Sequence, residues 1–336
     1  MKIKNIEKKY YNGLVYNFHC DPNENYYANK ILVHNCYKKN GEDINTHHMT
    51  FSEFKNIFHK VADTEFKEFD DGKIGYRNNG LLQQIAFGIC DIGSNPDFFK
   101  MMRYCREFGV IPNYTCHALD MTPEYAKLSA ELCGAVAISI YNKEKSYNAV
   151  KMLADAGLKQ INFHMVAYSE SFDKIKETMN DMVSDERLID NVKALVMLKY
   201  KPKGKNAGKF KQLSTEQMKT LIDYAEQLGI GIGFDSCSAN AYLKAIKNNE
   251  NYEQKAQCAD PCESSCFSSY INCRGEFYAC SFCENEGMWK DGINVLAATD
   301  FKKDVWENAQ TQKFRDMLLK NERKCPMFNL DDEVNL

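Results

Sequence analysis

The sequence VIPNYTCHALDMTPEYAKLSAELCGAVAISIY (110–141) decides the fold class, because it alternates between two patterns. An apolar run at 110–119 is followed by a segment with helical periodicity at 122–134, and then by a second apolar run. Thr122 and Pro123 are an N-cap and a first-turn proline, as is typical where a helix begins. The stretch therefore predicts a strand, a helix and a second strand.

The same alternation extends in both directions along the chain. Further apolar runs lie at 81–89, 158–168, 191–200 and 230–236, with helical segments between them. Four glycines at helix ends are expected to be left-handed caps: Gly109, Gly134, Gly157 and Gly229. Continuous apolar strands that alternate with helices form parallel sheets. The fold class is therefore α/β, and about six units predict a partial (β/α)6 TIM-like barrel with its chemistry at the carboxyl ends of the strands.

Several segments outside this alternation also carry local signals. A helix is predicted at TFSEFKNIFHKV (50–61), followed by a surface loop at 63–80. The basic run KYKPKGKNAGKFKQ (199–212) favours a solvated loop over a substrate clamp. A last helix is predicted at FKKDVWENAQTQKFRDMLL (301–319). Capping boxes are expected at Thr50 with Glu53 and at Ser214 with Gln217.

The composition limits the classes of function. The chain has 336 residues and a formal net charge of −3. It lacks the excess of basic residues that nucleic-acid binding requires, so nucleic acid is not an expected partner. No apolar run is long enough for a membrane span, and the charged first residues do not resemble a signal peptide. A cytoplasmic protein with no membrane association is therefore expected.

The cysteines give the strongest compositional signal. The chain has 14 cysteines, and six of them lie between Cys258 and Cys283. In a reducing compartment such a cluster indicates metal or iron–sulfur binding. The cysteines within apolar runs are instead expected to be small buried hydrophobic residues: Cys90, Cys105, Cys116 and Cys133.

The tripeptide His34-Asn35-Cys36 combines three residues that protein splicing requires in adjacent positions. An asparagine side chain can attack its own backbone carbonyl and form a succinimide. A preceding histidine can protonate the leaving amine, and a following cysteine can accept an acyl group as a thioester. The tripeptide therefore predicts a self-cleaving junction between Asn35 and Cys36.

The sequence before this junction resembles the C-terminal fragment of a split intein. The stretch VYNFHCDPNENYYANKILVHN (15–35) is similar to the last two intein motifs. The resemblance implies that Asn35 cyclises, that His34 assists, and that Cys36 is the branching nucleophile and first C-extein residue. Asn17 and Glu24 depart from the usual intein residues, Asp and His. An ordinary hairpin leading into the barrel, or a decayed intein remnant, remains the alternative.

Cys36 and Tyr37 also resemble the end of the CxxxCxxC loop of radical S-adenosylmethionine (SAM) enzymes. In that family the three thiolates hold a [4Fe–4S] cluster and leave one iron open for SAM. The two upstream cysteine positions are occupied here by Asn29 and Val33, so the motif is incomplete. The missing cysteines and the first barrel strand are expected on an upstream chain that carries the N-extein and N-intein. Splicing would complete the motif; a partial cluster site of Cys20 with Cys36 is a weaker alternative.

The radical SAM resemblance also implies residues that contact SAM. Gly88 and Asp91 follow the strand at the position of the family's Gly-rich SAM-binding loop. Ser139 and Asn142 follow a later strand where the family contacts the methionine or ribose of SAM. His164 and Lys199, at later strand ends, are expected to face the same cavity, although each residue could also be an ordinary polar group at a strand end.

The segment CESSCFSSYINCRGEFYACSFC (262–283) resembles the auxiliary-cluster region of SPASM/twitch domains. A hairpin with its turn at Arg274-Gly275 would return the chain so that Cys280 faces Cys262. The resemblance implies one auxiliary [4Fe–4S] cluster held by Cys262, Cys280 and Cys325. The fourth ligand is Cys237, Cys258, Cys266 or Cys283, and Cys237 is preferred because it ends a barrel strand. A structural zinc site with four thiolates is the rival interpretation.

Together these patterns predict three domains. Residues 1–35 would be a small β intein segment, 36–240 a radical SAM barrel lacking its first strand, and 241–336 a cysteine-rich auxiliary-cluster domain. The predicted function is that of a trans-spliced precursor whose mature form cleaves SAM reductively to a 5′-deoxyadenosyl radical and modifies a peptide or protein. The alternative is a non-catalytic barrel stabilised by zinc or by a cluster, with a decayed intein remnant.

Overall fold

The computed structural model describes the backbone of residues 16–20, 25–28, 31–34, 48–68, 74–77, 82–203 and 207–330, and the side chains of 48–65, 82–203 and 207–330. In this part of the chain the strands are β1 (Tyr16–Cys20), β2 (Asn25–Ala28), β3 (Ile31–His34), β4 (Glu65–Glu68), β5 (Ile74–Arg77), β6 (Leu82–Gly88), β7 (Ile111–Cys116), β8 (Val136–Ser139), β9 (Ile161–Ala167), β10 (Val192–Lys199), β11 (Ile232–Phe234), β12 (Ser268–Ile271), β13 (Glu276–Tyr278) and β14 (Ile293–Asn294).

The helices alternate with the strands from β6 onward, as the sequence predicts. They are α1 (Phe51–Val61), α2 (Phe98–Glu107), α3 (Pro123–Leu132), α4 (Lys143–Asp155), α5 (Phe172–Ser184), α6 (Thr215–Leu228), α7 (Ala239–Ile246), α8 (Tyr252–Ala256) and α9 (Ala309–Lys320). The two predicted capping boxes are present at the starts of α1 and α6. None of the helices in the described ranges is both long enough and apolar enough to cross a membrane.

Six parallel strands, β6 to β11, form the curled half-barrel that the alternation predicts. They belong to a ten-stranded sheet with the order β11-β10-β9-β8-β7-β6-β1-β12-β13-β14. Strand β1 pairs in parallel with both β6 and β12, and β13 and β14 continue the sheet with antiparallel pairs. The cysteine-rich region therefore extends the barrel sheet at the β1 edge.

The sequence predicts a barrel that lacks its first strand, and in this structure a strand from the predicted intein segment takes that place. Strand β1, from the predicted intein segment, lies beside β6 where a first strand would otherwise be missing. The physical reason is that the edge of β6 presents unpaired backbone N–H and C=O groups, which a neighbouring strand satisfies. Within the first 35 residues the three described segments, 16–20, 25–28 and 31–34, are strands, as the predicted β character requires.

Three local predictions are corrected. The expected surface loop at 63–80 contains the antiparallel pair β4 and β5. The last helix is interrupted, because Asn308 caps a new start for α9 after a short π-helical turn. Gly134 is not among the glycines with positive φ. A Cβ there would lie 2.6 Å from Ile111 Cγ2, so this glycine allows close packing on β7. The other three predicted glycine caps have positive φ.

The two faces of the half-barrel differ in chemistry. The outer face carries large apolar residues that pack with the helices, for example Tyr114, Ile138 and Phe163. The inner face carries small and polar residues in register across the strands: Gly88, Thr115, Ala137, Ser139, Asn162 and His164. A core would normally be apolar on the inside. The inner face is therefore suited to surround a polar ligand or a polar covering segment.

Candidate functional site

The first candidate site lies at the carboxyl ends of the barrel strands. Ser139 ends β8 and is opposite His164 in β9, and both side chains are buried. Among the residues whose side chains are described, none is a hydrogen-bond partner of the Ser139 Oγ atom. A buried hydroxyl without a partner costs free energy. The Ser139 hydroxyl can therefore form a hydrogen bond with a ligand that binds here.

Three residues beyond β6 and β7 converge near this end of the barrel. Asp91 Oδ1 lies 3.4 Å from His117 Nε2, and Asp120 Oδ2 accepts a hydrogen bond from Gly93 N–H at 3.0 Å. His117 Nδ1 accepts from Leu119 N–H at 3.2 Å, so in the neutral ring the proton is on Nε2, facing Asp91. The sequence analysis singled out Asp91 but missed His117 and Asp120. Their position directly after an apolar strand was the signal available.

The other predicted SAM contacts have defined positions. Gly88 is the buried last residue of β6. Asn142 caps α4, because its Oδ1 accepts from Lys145 N–H at 3.0 Å, so part of its hydrogen-bonding capacity serves the helix. Lys199 ends β10 and is buried. Asn35, Cys36 and Tyr37 lie outside the described residues, as does the side chain of His34, so their roles remain predictions.

The hairpin of β2 and β3 lies against the middle of the barrel sheet. It is close to β6, β7, β9, β10 and β12. Helices α2, α4 and α5 are close to the same part of the sheet on its outer face. The hairpin therefore covers the inner face, where Ser139 and His164 lie.

The second candidate site is a cavity lined by five cysteines. They are Cys237, Cys262, Cys280, Cys283 and Cys325. They come from four separate segments of the chain: the end of β11, the approach to β12, the turn after β13, and the stretch after α9. The predicted hairpin brings two of these segments together, because β12 and β13 pair around Gly275, whose φ is +76°. The structure thus unites all four predicted auxiliary ligands with Cys283.

The remaining cysteines are elsewhere. Cys258 is exposed and borders a different pocket, and Cys266 does not line the five-cysteine cavity. Of the four candidates for the fourth ligand, only Cys237 and Cys283 therefore reach the cavity. In the barrel, Cys105, Cys116 and Cys133 are buried in the apolar core as expected, whereas Cys90 is half-buried.

The spacing of the sulfur atoms bears on the kind of metal. Cys280 Sγ and Cys283 Sγ are 3.4 Å apart. Within the described ranges, no three cysteine sulfurs all lie within 4.8 Å of one another. A tetrahedral zinc ion, with Zn–S bonds of about 2.3 Å, would hold four sulfurs about 3.8 Å apart. A cluster binds each thiolate to a different iron, and so needs wider spacing. The Cys280–Cys283 pair is therefore close enough to share one zinc ion, but among the described residues no third cysteine sulfur joins the pair at that spacing.

The electrostatics of the cavity favour one thiolate. A hydrogen bond from the Cys283 thiol, with backbone N–H groups and Lys203, lowers the pKa of Cys280 to about 6. Burial raises the pKa of Cys262 to about 12 and raises the pKa values of Cys237 and Cys325. Cys280 is therefore the thiol most ready to bind a metal at neutral pH, and the others need a metal or cationic group to ionise.

The basic run contributes buried cations to this site, so its interpretation as a solvated loop is wrong for its first residues. Lys201 pairs with buried Asp235 and borders the cavity. Burial opposes its charge, but Asp235 and nearby Cys237 raise the pKa of Lys201 overall. Lys203 Nζ donates to the carbonyl of Phe282 at 2.8 Å and to that of Glu284. The segment that follows β10 therefore reaches the cysteine-rich region and binds the loop around Cys283.

Comparison with known proteins establishes the fold. No protein-family model matches the chain, and no curated protein matches it. Streptococcus suis SuiB bound to the precursor peptide SuiA is similar in structure, with a TM-score of 0.63 and 12% identity over 96% of this chain and 76% of SuiB. SuiB bound to S-adenosylmethionine gives a TM-score of 0.58 at 11% identity, over 100% of this chain and 83% of SuiB.

A second protein, anSMEcpe, with bound AdoMet and the Cp18Cys peptide, gives a TM-score of 0.57 and 14% identity over 88% of this chain and 81% of that one. At such identities the similarity shows a shared fold and no more. The chain therefore has the same fold as proteins solved with S-adenosylmethionine and with peptides.

Proposed function

We propose that this chain is the main part of a radical SAM enzyme that modifies a peptide or protein and carries one auxiliary [4Fe–4S] cluster. The observation that carries the proposal is the convergence of five cysteines in one cavity beside a half-barrel of this fold. Structures of the same fold hold S-adenosylmethionine and peptides, which supports both the cofactor and the substrate class. Residues 36–240 would form the SAM-binding part and 241–336 the auxiliary part.

The inner face of the barrel would hold SAM. The [4Fe–4S] cluster of the completed CxxxCxxC motif would supply the electron that cleaves SAM to a 5′-deoxyadenosyl radical. Ser139 Oγ, buried without a partner, would hydrogen-bond a polar group of SAM. Gly88 would allow the cofactor to approach the β6 backbone, and Asp91, held near His117, would accept hydrogen bonds at the rim. Asn142, His164 and Lys199 are proposed as further contacts in this part of the barrel.

The cysteine cavity would hold the auxiliary cluster through Cys262, Cys280, Cys325 and Cys237. Two observations support the fit: no third described cysteine sulfur lies within 4.8 Å of both Cys280 and Cys283, as a four-thiolate zinc ion would need, and the pKa of Cys280 is lowered to about 6. Cys283 is the alternative to Cys237, because it also lines the cavity. In the proposed assignment, the Cys283 thiol keeps its hydrogen bond to Cys280.

We further propose that the chain is a precursor completed by trans-splicing. The support is in the sequence: His34, Asn35 and Cys36 are adjacent, and Asn29 and Val33 occupy positions where the SAM-cluster motif needs cysteine. An upstream chain would supply those cysteines and a first barrel strand. Because β1 occupies that place in the sheet here, splicing would have to exchange one strand for another.

The test is to mix the chain with an upstream fragment that carries CxxxCxx and an intein N-fragment. Mass spectrometry should show a ligated product that lacks residues 1–35, and the reconstituted product should form 5′-deoxyadenosine from SAM. Asn35→Ala should abolish ligation. An unchanged product pattern in that variant would disprove splicing, and a ligated product that never cleaves SAM would disprove the radical SAM activity.

The position of β1 favours a second candidate. A segment that pairs on both sides within the sheet is expected to be a lasting part of the fold. In that case the first 35 residues would be a retained remnant, and the protein would be a non-catalytic barrel stabilised by a cluster or zinc. Removal of residues 1–35 distinguishes the two, because it should leave a competent half-enzyme in the first case and an unstable protein in the second.

A further inference from the structure

The five-cysteine cavity has a second set of lining residues that the thiols do not account for. Besides cysteines, it is bordered by Lys201, Asp235 and Ser236 from the ends of β10 and β11. The barrel therefore contributes a cation, an acid and a hydroxyl to a site whose thiols come mostly from the cysteine-rich region.

Ser236 is the unusual member of this set. It is more than nine-tenths buried, and none of the described residues is a hydrogen-bond partner of its Oγ. Its neighbours are satisfied: Asp235 Oδ1 accepts from Ser238 Oγ at 2.5 Å and from Lys199 N–H at 3.1 Å. A buried hydroxyl without a partner is destabilising unless another group supplies its hydrogen bond.

The backbone that carries Ser236 is held firmly. Asp235 forms a buried ion pair with Lys201 and accepts hydrogen bonds on its other oxygen, so the residue before Ser236 is fixed. Cys237 follows directly and borders the same cavity. Ser236 is therefore adjacent in sequence to a proposed ligand, and both residues border the cavity that would hold the cluster.

We propose that Ser236 donates a hydrogen bond to the auxiliary cluster or one of its thiolates, and thereby raises the reduction potential of the cluster. Reduction adds one electron from an external reductant and increases the negative charge on the cluster and its sulfurs. A hydrogen-bond donor stabilises the more negative state, so it favours reduction. This inference rests on the proposed auxiliary cluster and adds a residue that sets its electronic properties.

The experiment uses the full chain, reconstituted with iron and sulfide and titrated anaerobically against potential, with the reduced cluster followed by electron paramagnetic resonance. This chain carries Cys36 but neither of the two upstream cysteines of the CxxxCxxC motif, so we expect the cluster signal to come from the cysteine cavity. We expect Ser236→Ala to retain its iron and to show a reduced-to-oxidised ratio about tenfold lower at the wild-type midpoint, a shift of about 59 mV for one electron.

Matched variants separate the effect of the Ser236 hydroxyl on the reduction potential from the effects of side-chain size and packing. Ser236→Thr and Ser236→Val differ mainly in the hydroxyl. The Ser236→Thr protein should therefore keep the wild-type reduction potential, whereas the potential of the Ser236→Val protein should fall as in Ser236→Ala. Ser146→Ala removes another buried hydroxyl without a partner, on α4, and should leave the potential unchanged. If alanine at 236 prevents cluster assembly, the threonine and valine pair still gives the answer.

Two results would overturn the inference and are distinguishable from each other. A full iron content with one potential for the serine, alanine, threonine and valine proteins, or an equal shift in all three variants, would show that the hydroxyl plays no part. A wild-type chain that binds no iron would instead disprove the auxiliary cluster, and with it this role of Ser236.

Discussion

The two candidate sites differ in how much of their chemistry this chain supplies. Five thiols, a buried cation and a buried hydroxyl from separate segments all border the cysteine cavity. The carboxyl end of the barrel has a polar inner face, but the chain carries only Cys36 of the motif that would hold a SAM cluster. In the proposed assignment, this chain alone would therefore hold the auxiliary cluster, whereas the SAM site would need residues from another chain.

The largest effect should come from the cavity thiols. We expect Cys280→Ser to reduce the iron content of the reconstituted chain from about four atoms to nearly none, because it removes the only cavity thiol with a lowered pKa. Cys258→Ser is the matched control, since that thiol is exposed and outside the cavity. Equal iron in the two variants would place the metal elsewhere.

Next in size is the buried ion pair beside the cavity. Lys201→Met should lower the free energy of unfolding by about 3–5 kcal/mol, because it leaves Asp235 charged and unpaired in the interior. Denaturant titration measures the loss, and Lys201→Met combined with Asp235→Asn should recover most of it. A single variant as stable as the wild type would mean that this pair does not brace the cavity.

At the carboxyl end of the barrel, substitutions of Asn142 test whether its main role is to cap α4 or to contact the cofactor. Asn142→Ala should cost about 1 kcal/mol of stability, because Lys145 N–H loses its acceptor. Asn142→Asp keeps an acceptor and should retain the stability. If Asn142→Ala changes SAM binding in the completed enzyme by more than the stability loss explains, Asn142 also contacts the cofactor.

The smallest expected effect is a gain in the stability of the chain. Ser139→Ala should stabilise the chain without SAM by up to about 1 kcal/mol, because it removes a buried hydroxyl that has no partner. The same variant should weaken SAM binding once the cluster motif is complete. Thermal unfolding measures the first effect; a clear destabilisation would show that the hydroxyl already has a structural role.

Most of the barrel could be predicted from the sequence, because its strands are buried on both faces and its helices carry strong caps. Thr122 with Pro123, and Ser214 with Gln217, mark helix starts through interactions within a few residues. The position of β1 could not be predicted in this way. Its pairing with β6 and β12 joins segments far apart in sequence, and nothing in YNFHC specifies those neighbours.

The sequence predicted the cysteines that line the cavity, but it did not predict the buried lysines beside them. The spacing around Gly275 and resemblance to auxiliary-cluster domains indicated Cys262, Cys280 and Cys325. The burial of Lys201 and Lys203 was missed because a basic segment normally faces solvent. Contacts between segments far apart in sequence make those lysines part of the site: Lys201 pairs with Asp235, and Lys203 donates to the carbonyls of Phe282 and Glu284.

The most direct test of the contrast between the two sites is to reconstitute the full chain alone with iron and sulfide, and then to measure its metal content and its reaction with SAM. We predict a brown protein with about four iron atoms per chain, no bound zinc, and no 5′-deoxyadenosine under reducing conditions. A colourless protein with zinc, or a chain that cleaves SAM by itself, would contradict the account.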